Sequence, residues 1–286
     1  MTSVENVNDS RSWTLSGFGD EISPDPAIQL AVLEALGAHH IEVRSAWGVN
    51  VVDLDPEQTD DVAGAISSAG FGVSAIASPI GKVDVTLPVE HEVERLRRVI
   101  AVAHRLGTRY VRIFSFFRAE GVAPEDVRDA VLARMSALAA LAAAEDIVLL
   151  HENEKEIYGD VPARVLDIVE SVGSDHLRLA WDNANYVQVG VRPYSDGWSI
   201  LSPYVDYLQV KDARAATGEV VPAGAGDGEL LETVTALRDA GYAGFVSLEP
   251  HLAEGFTLGG FSGPAAFGTA ARALDRLLTQ IGVTTR

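Results

Sequence analysis

Eight short apolar, β-branched runs alternate along the chain with longer segments of helical period, and no other feature restricts its fold so tightly. The runs are Trp13 to Phe18, His40 to Arg44, Gly72 to Ala77, Arg109 to Phe114, Ile147 to Glu152, Leu177 to Asp182, Val205 to Lys211 and Gly244 to Pro250. Helices are expected between them over Asp25 to Leu36, Pro56 to Ala69, Val89 to Leu106, Pro124 to Ala144, Pro162 to Val172, Leu230 to Ala240 and Pro264 to Ile281. Proline near the first turn (Pro124, Pro162, Pro264) and glycine just past the end (Gly37, Gly70, Gly107, Gly241) support the helix limits. The sixth connection, Gln188 to Pro203, is the weak one, with only a turn or two of helix expected near Trp198. Strand and helix in alternation build a parallel sheet covered by helices. Eight units in 286 residues average about 36 each, the size of a (β/α)8 barrel with its connections. A doubly wound sheet that binds a dinucleotide wants a glycine fingerprint after its first strand, and Gly17-Phe18-Gly19-Asp20-Glu21 does not continue as one. No linker rich in Pro, Gly or Ser divides the chain. The expectation is an α/β fold, a single (β/α)8 TIM barrel over residues 13–286.

Composition narrows the chemistry. Cys is absent, which removes disulfides, thiolate metal sites and cysteine nucleophiles and leaves oxygen and imidazole as the only ligands. Twenty-two Lys and Arg against 41 Asp and Glu give a net charge of −19, which repels a phosphate backbone; nucleic acid is not an expected partner. The polar, acidic start reads as a disordered lead over residues 1–12 and not as a signal peptide. Val131 to Leu150, the longest apolar stretch, is broken by Arg134, Ser136, Glu145 and Asp146, so no membrane span is expected. A soluble, cytoplasmic protein follows as the expectation.

In a barrel the chemistry collects at the carboxyl ends of the strands. Strand five ends in His151-Glu152-Asn153-Glu154, strand six in Asp182-Asn183-Ala184-Asn185, strand seven in Gln209-Val210-Lys211-Asp212 and strand eight in Glu249-Pro250-His251. Glu152, Asp182, Gln209 and Glu249 thus stand at similar depth on successive strands, all of them oxygen donors. Three carboxylates forced together repel one another unless a cation joins them, and oxygen donors suit Mn2+ or Mg2+. The plain alternative is a set of barrel-end salt bridges, Glu152 with Lys211 or Glu249 with Arg112. Alternation along strand five turns His151 toward the helix layer if Glu152 faces the lumen, so His151 reads as structural.

These segments resemble the xylose isomerase-like TIM-barrel family of sugar phosphate isomerases and epimerases. The likeness runs from about Trp13 to Gly282 and is most specific at His151-Glu152-Asn153-Glu154 with Tyr158-Gly159-Asp160, Asp182-Asn183-Ala184-Asn185-Tyr186-Val187-Gln188, Gln209-Val210-Lys211-Asp212-Ala213, Val221-Pro222-Ala223-Gly224 with Gly226-Asp227-Gly228, and Ser247-Leu248-Glu249-Pro250-His251. The resemblance implies a divalent metal, Mn2+ or Mg2+, held by Glu152, Asp182, Gln209 and Glu249, with Glu152 and Glu249 moving the proton. Gln209 stands where the family usually has His, and Asn185 where many members have a substrate-binding His. A neutral amide oxygen binds transition metals less strongly than imidazole and favours harder ions.

The implied reaction is removal of a proton next to a carbonyl to give an enediolate, with reprotonation completing an isomerisation or epimerisation of a sugar or sugar phosphate. Arg44, two residues beyond Glu42 on the same strand face, together with Lys82, Arg112, Asn185, Lys211 and His251, are the candidates for holding hydroxyls or a phosphate. Gly224 to Gly228 is expected to be a turn before the next helix. The same enolate can instead expel a leaving group, which makes a lyase or dehydratase on a keto sugar, keto-glycoside or keto-inositol the rival reading. A non-catalytic sugar-binding barrel or partner subunit is the second. A phosphodiester endonuclease shares the fold class, but the charge of −19 opposes it. The expected partner is a small-molecule sugar or sugar derivative, and a homo-oligomer is compatible with the chain.

Overall fold

The computed structural model describes residues 12–252 and 262–286 of the chain. Eight parallel strands form its barrel: β1 (Ser12–Gly17), β2 (His40–Val43), β3 (Gly72–Ala77), β4 (Tyr110–Ile113), β5 (Val148–Glu152), β6 (Leu177–Asp182), β7 (Val205–Val210) and β8 (Phe245–Leu248). Each pairs in parallel with its neighbour from β2 through β8, β8 pairs with β1, and a parallel bridge from Phe18 to Glu42 closes the ring. A short strand, β9 (Thr284–Thr285), lies parallel to the start of β1. Ser12, expected in the lead, is the first residue of β1, and the rest of that lead lies outside the described residues.

The helices are α1 (Pro26–Ala35), α2 (Pro56–Ser68), α3 (Val89–Leu106), α4 (Pro124–Ala144), α5 (Pro162–Val172), α6 (Asn183–Gln188), α7 (Leu230–Asp239) and α8 (Gly263–Gln280). Local chemistry sets their ends. At the start of α2 the Asp55 carboxylate accepts the Gln58 amide N–H while the Gln58 side chain accepts the Asp55 N–H, which satisfies two donors that a helix leaves unpaired. Gly107 ends α3 at φ 75°, a left-handed conformation that costs glycine nothing.

The sixth connection departs from expectation. Its regular helix, α6, begins directly after β6, because the Asp182 side chain accepts the Asn185 N–H and caps it. The turns near Trp198 follow as a π-helical segment, Pro193–Trp198, and the short helix Ser199–Leu201. Two hairpins absent from the sequence reading rise from the strand ends, Ser45–Ala46 with Val49–Asn50 after β2 and Asp212–Ala213 with Val220–Val221 after β7. Among the described residues no helix is long and apolar enough to cross a membrane.

Alternation along the strands gives the barrel two interiors. The outward residues, among them Ile41, Val111, Leu149, Leu179, Leu208 and Val246, join the helices in one large apolar core. The lumen is graded along its axis. At the amino-terminal end Tyr110, Tyr207 and Phe245 meet edge-on or tilted, with ring centroids 5.7–6.4 Å apart, and plug the floor. Hydroxyls of Ser16, Ser74 and Tyr207 follow, and charged side chains fill the top. The apolar floor carries stability, which leaves the other end free for chemistry.

Candidate active site

At the carboxyl ends of the strands a cavity of about 680 Å3 opens. Its lining includes Arg44, Lys82, Arg112, Glu152, Asn185, Lys211, Glu249 and His251, eight of the ten residues that the sequence singled out. The other two, Asp182 and Gln209, lie fully buried beside them. One carboxylate oxygen from each of Glu152, Asp182 and Glu249 falls within 4.8 Å of the other two.

Glu152, the last residue of β5, accepts hydrogen bonds from Arg112 Nη1 at 2.8 Å on Oε2 and from Asn185 Nδ2 at 2.9 Å on Oε1. Burial raises its pKa despite the Arg112 charge. Asp182 turns one oxygen to the cap of α6. Its other oxygen, Oδ2, lies 3.1 Å from Lys211 Nζ in an ion pair and takes no hydrogen bond from the described residues. Burial pushes Asp182 up to about 7, and Lys211 opposes it. The Asn153 side chain donates to the Asp182 carbonyl at 2.9 Å and accepts its N–H at 3.1 Å, which locks the end of β5 to that of β6.

Glu249 has different company. Lys211 Nζ lies 3.0 Å from one of its oxygens, and Arg44 Nη1 at 3.0 Å and His251 Nε2 at 3.3 Å from the other. Burial alone would raise Glu249, but Lys211, His251 and Arg44 outweigh it and hold the carboxyl well below its usual range. Arg44 also reaches Asp20 at 2.8 Å and Glu21 at 2.9 Å, with its guanidinium 5.0 Å from the centre of the Phe18 ring. His251 stands 3.1 Å from Glu21, and the two carboxylates lift it to about 9 against burial. Its backbone is left-handed at φ 46°, a strained conformation for a non-glycine residue that this double contact offsets. Lys82 pairs with Glu154 at 3.1 Å and lies 4.2 Å from the centre of the Phe114 ring.

Salt bridges therefore do fill the mouth, with the partners exchanged relative to the sequence expectation: Glu152 takes Arg112, and Glu249 takes Lys211 and Arg44. His151 faces the helix layer as alternation requires. It is fully buried, neither ring nitrogen has a hydrogen-bond partner among the described residues, and burial pushes it down to about 3. A Cβ at Gly159 would come within 2.5 Å of its ring, so only glycine fits there. The Gly224 to Gly228 turn does not line the cavity. It wraps the Asp212 carboxylate, which accepts N–H groups of Gly224, Gly226 and Gly228, each at 2.9 Å.

Several residues of the site went unread in the sequence. Asp20 and Glu21 follow β1 directly, in the segment set aside as a failed glycine fingerprint, and a scan of that strand's end for acids would have found them. Glu42 shares a strand face with Arg44 and is buried in the lumen, where desolvation pushes it up to about 7. Asn153 and Glu154 sit past the end of β5, where alternation no longer assigns a face.

The donor set fits a hard divalent ion: three converging carboxylates, with Asp182 Oδ2 buried and free of hydrogen bonds among the described residues. Gln209 fits that role less well. Its neutral amide lies between two carboxyl groups, one end 2.9 and 3.1 Å from the oxygens of Glu152 and the other 3.4 Å from Glu42 Oε1.

Comparison with known proteins gives the family and the fold. The family described as "Xylose isomerase-like TIM barrel" matches residues 30–277. A 2-epi-5-epi-valiolone 7-phosphate 2-epimerase from Actinoplanes sp. is 29% identical over 225 residues, which cover 76% of this chain and 79% of that protein. Among solved structures, a D-tagatose 3-epimerase-like protein superposes with a TM-score of 0.76 at 14% identity, over 94% of this chain and 98% of the other. A xylose isomerase-like TIM-barrel protein from Mycobacterium smegmatis in complex with magnesium gives 0.67 at 19%, over 96% and 99%.

Proposed function

Because the chain belongs to the xylose isomerase-like TIM-barrel family, we propose that it is a metal-dependent epimerase or isomerase of a keto sugar or keto cyclitol, free or phosphorylated. The observation that carries this reading is the meeting of Glu152, Asp182 and Glu249 at one end of the cavity, with the two glutamates in opposite electrostatic settings. The epimerase relative, whose name gives a 7-phosphate substrate epimerised at position 2, supports the choice of chemistry.

Glu152, Asp182 and Glu249 would hold the ion, which when bound supplies positive charge to the carbonyl and hydroxyl oxygens of the substrate. Glu249, kept ionised by Lys211, Arg44 and His251, is the base that takes the carbon-bound proton next to the carbonyl. The electron pair of that C–H bond forms a carbon–carbon double bond while the carbonyl π pair moves onto its oxygen, which leaves an enediolate. Glu152, whose burial favours its protonated form, returns a proton to the same carbon from the opposite face and inverts the centre. Reprotonation on the neighbouring carbon would instead interconvert aldose and ketose. Proton exchange with solvent then resets the two carboxyls. Arg112 and Asn185 fix the carboxylate plane of Glu152. Lys82, Asn185 and His251 face the cavity from its wall and are assigned to hydroxyls or a phosphate.

Incubation of ketoses, keto-glycosides, keto-cyclitols and their phosphates with the protein and Mn2+ in deuterated water, followed by NMR, tests the proposal. The expected result is deuterium at the carbon next to the carbonyl together with the epimer or isomer. A product that has lost water would replace this reading with the lyase. Stoichiometric metal without exchange on any substrate would leave a sugar-binding barrel.

A further inference from the structure

The chain contains only three lysines, Lys82, Lys155 and Lys211, and all three line the cavity. Two of them have acids to neutralise them: Lys211 lies between Asp182 and Glu249, and Lys82 lies 3.1 Å from Glu154 Oε2. Lys155 is different. Among the described residues no carboxylate pairs with its ammonium, whereas Arg44, Lys82, Arg112, Lys211 and His251, the other cationic residues of the lining, each meet at least one. The Lys155 backbone N–H donates to Glu154 Oε1 at 2.9 Å, so one carboxylate ties Lys155 to Lys82 on the same wall. There two ammonium groups face a single acid.

The facing wall has the opposite surplus. Asp20 follows β1 and Lys155 follows β5, which stand across the closed ring from each other, and both residues line the cavity. Asp20 Oδ2 accepts from Arg44 Nε and from Ser45 Oγ, each at 2.8 Å, while Oδ1 is buried and meets no donor among the described residues. Acids outnumber cations here, because Arg44 and His251 are shared among Asp20, Glu21 and Glu249, and Lys211 is divided between Glu249 and Asp182. A hydroxyl supplies the donor that Oδ1 lacks. An ionised phosphate, whose oxygens accept, would meet acceptor with acceptor and charge with like charge.

We propose that the cavity is directional: Lys155, with Lys82 beside it, takes a phosphate monoester group of the substrate, and Asp20 on the opposite wall takes a hydroxyl and turns that phosphate away. The inference rests on the reading of the cavity as a substrate site and deepens it, because it names Asp20 and Lys155 as the residues that set which end of the substrate lies where. Lysine suits the task as a compact charge on a flexible stem, which reaches a phosphate without the fixed planar geometry that arginine requires. Lys211, held between Asp182 and Glu249, and Arg112, held by Glu152, are left to the reacting end.

Two measurements on the full chain test the direction, and the first needs no turnover. With three lysines, isotope labelling of the lysine side chains gives three NMR signals, and Lys155→Met identifies one of them. Inorganic phosphate, added at constant ionic strength in the presence of Mg2+, should shift the Lys155 signal saturably and further than those of Lys82 and Lys211, and Asp20→Asn should keep that shift. A linear shift that chloride reproduces, or a shift confined to Lys211 beside the carboxylate triad, would overturn the proposal. On the substrate found by the deuterium screen, kcat/KM is then compared between the phosphate ester and its unphosphorylated parent. Lys155→Met should lower the ratio of the two by about tenfold or more, the scale of one charge-assisted hydrogen bond, and Lys155→Arg, which keeps the charge, should retain most of it. Asp20→Asn should lower kcat/KM for both forms together and leave the ratio within about twofold. An unchanged ratio in Lys155→Met, or a parent enzyme that favours the unphosphorylated form, would overturn the direction and leave the epimerase reading in place. If no substrate exchanges deuterium, the epimerase reading fails, and the phosphate titration still decides whether the cavity has this anion end.

Discussion

The two glutamates across the cavity are the same residue type at the ends of two strands, yet they sit in opposite settings. Three cationic groups surround Glu249, and two of them, Arg44 and His251, also reach the β1 end through Glu21. Glu152 is hydrogen-bonded by Arg112 and by the Asn185 amide, with Lys211 acting on it only through space. Both are buried, so the difference in proton affinity comes from neighbours and not from depth. A base and an acid can thus share one pocket at neutral pH.

The strongest way to break the contrast is to remove either charge. Glu249→Gln and Glu152→Gln keep the shape and remove the proton carrier, and each should lower turnover by about 10² to 10⁴-fold on the substrate found by the deuterium screen. Near-normal turnover in both would defeat the acid and base assignment.

Stability should separate the two sides next. Lys211→Met leaves Asp182 and Glu249 buried without the ammonium they share, and should cost about 3–5 kcal/mol in urea unfolding, the scale for breaking a buried pair. Lys82→Met, at a half-exposed pair with Glu154 on the rim, should cost under about 1 kcal/mol. Equal losses would mean that the mouth is wetter than its packing implies.

Metal should act on the triad from the other direction. An ion that binds only the folded chain adds about 2.7 kcal/mol at a free concentration 100 times its Kd, so melting temperature should climb with Mn2+ and fall back on chelation. Asp182→Asn should reduce that climb. A melting temperature indifferent to both Mn2+ and chelator, with no stoichiometric metal by elemental analysis, would turn the cluster into a salt-bridge network.

The smallest effect sharpens the contrast between the two faces of β5. His151, one residue from Glu152, points into the apolar layer and is held neutral down to about pH 3. The unfolded chain protonates this histidine below about pH 6.5, while the fold does not, so its contribution is full above that pH and falls as the solution is acidified. From pH 6.5 to 5 the loss should reach about 2 kcal/mol. His151→Leu should flatten that part of the stability profile, as urea midpoints at each pH will show. An unchanged slope would mean that the imidazole charges inside the fold.

Most barrel elements were legible because they are written locally. Apolar runs of period two and helices opened by proline and closed by glycine depend on near neighbours, and strand limits moved by only a residue or so, as at His40–Val43 and Val205–Val210. The exception was α6, whose start depends on the Asp182 side chain serving as a cap, a use hidden behind its expected role as a ligand. The strand-end acids Glu152, Asp182 and Glu249 were legible too, since a carboxylate that ends an apolar run must face either the mouth or solvent.

The order of strands and helices, the end of the barrel that carries charge, and the identity of the converging carboxylates followed from the sequence by itself, because each depends on alternation and on residues a few positions apart. The pairing of those charges did not. Arg44 meets Glu249 across 205 positions and Arg112 meets Glu152 across 40, while the Glu42 and Gln209 amide contact spans 167. Which cation reaches which acid and which glutamate stays ionised are settled by where the closed ring sets side chains from distant strands within about 3 Å of one another, the distance at which hydrogen bonds form.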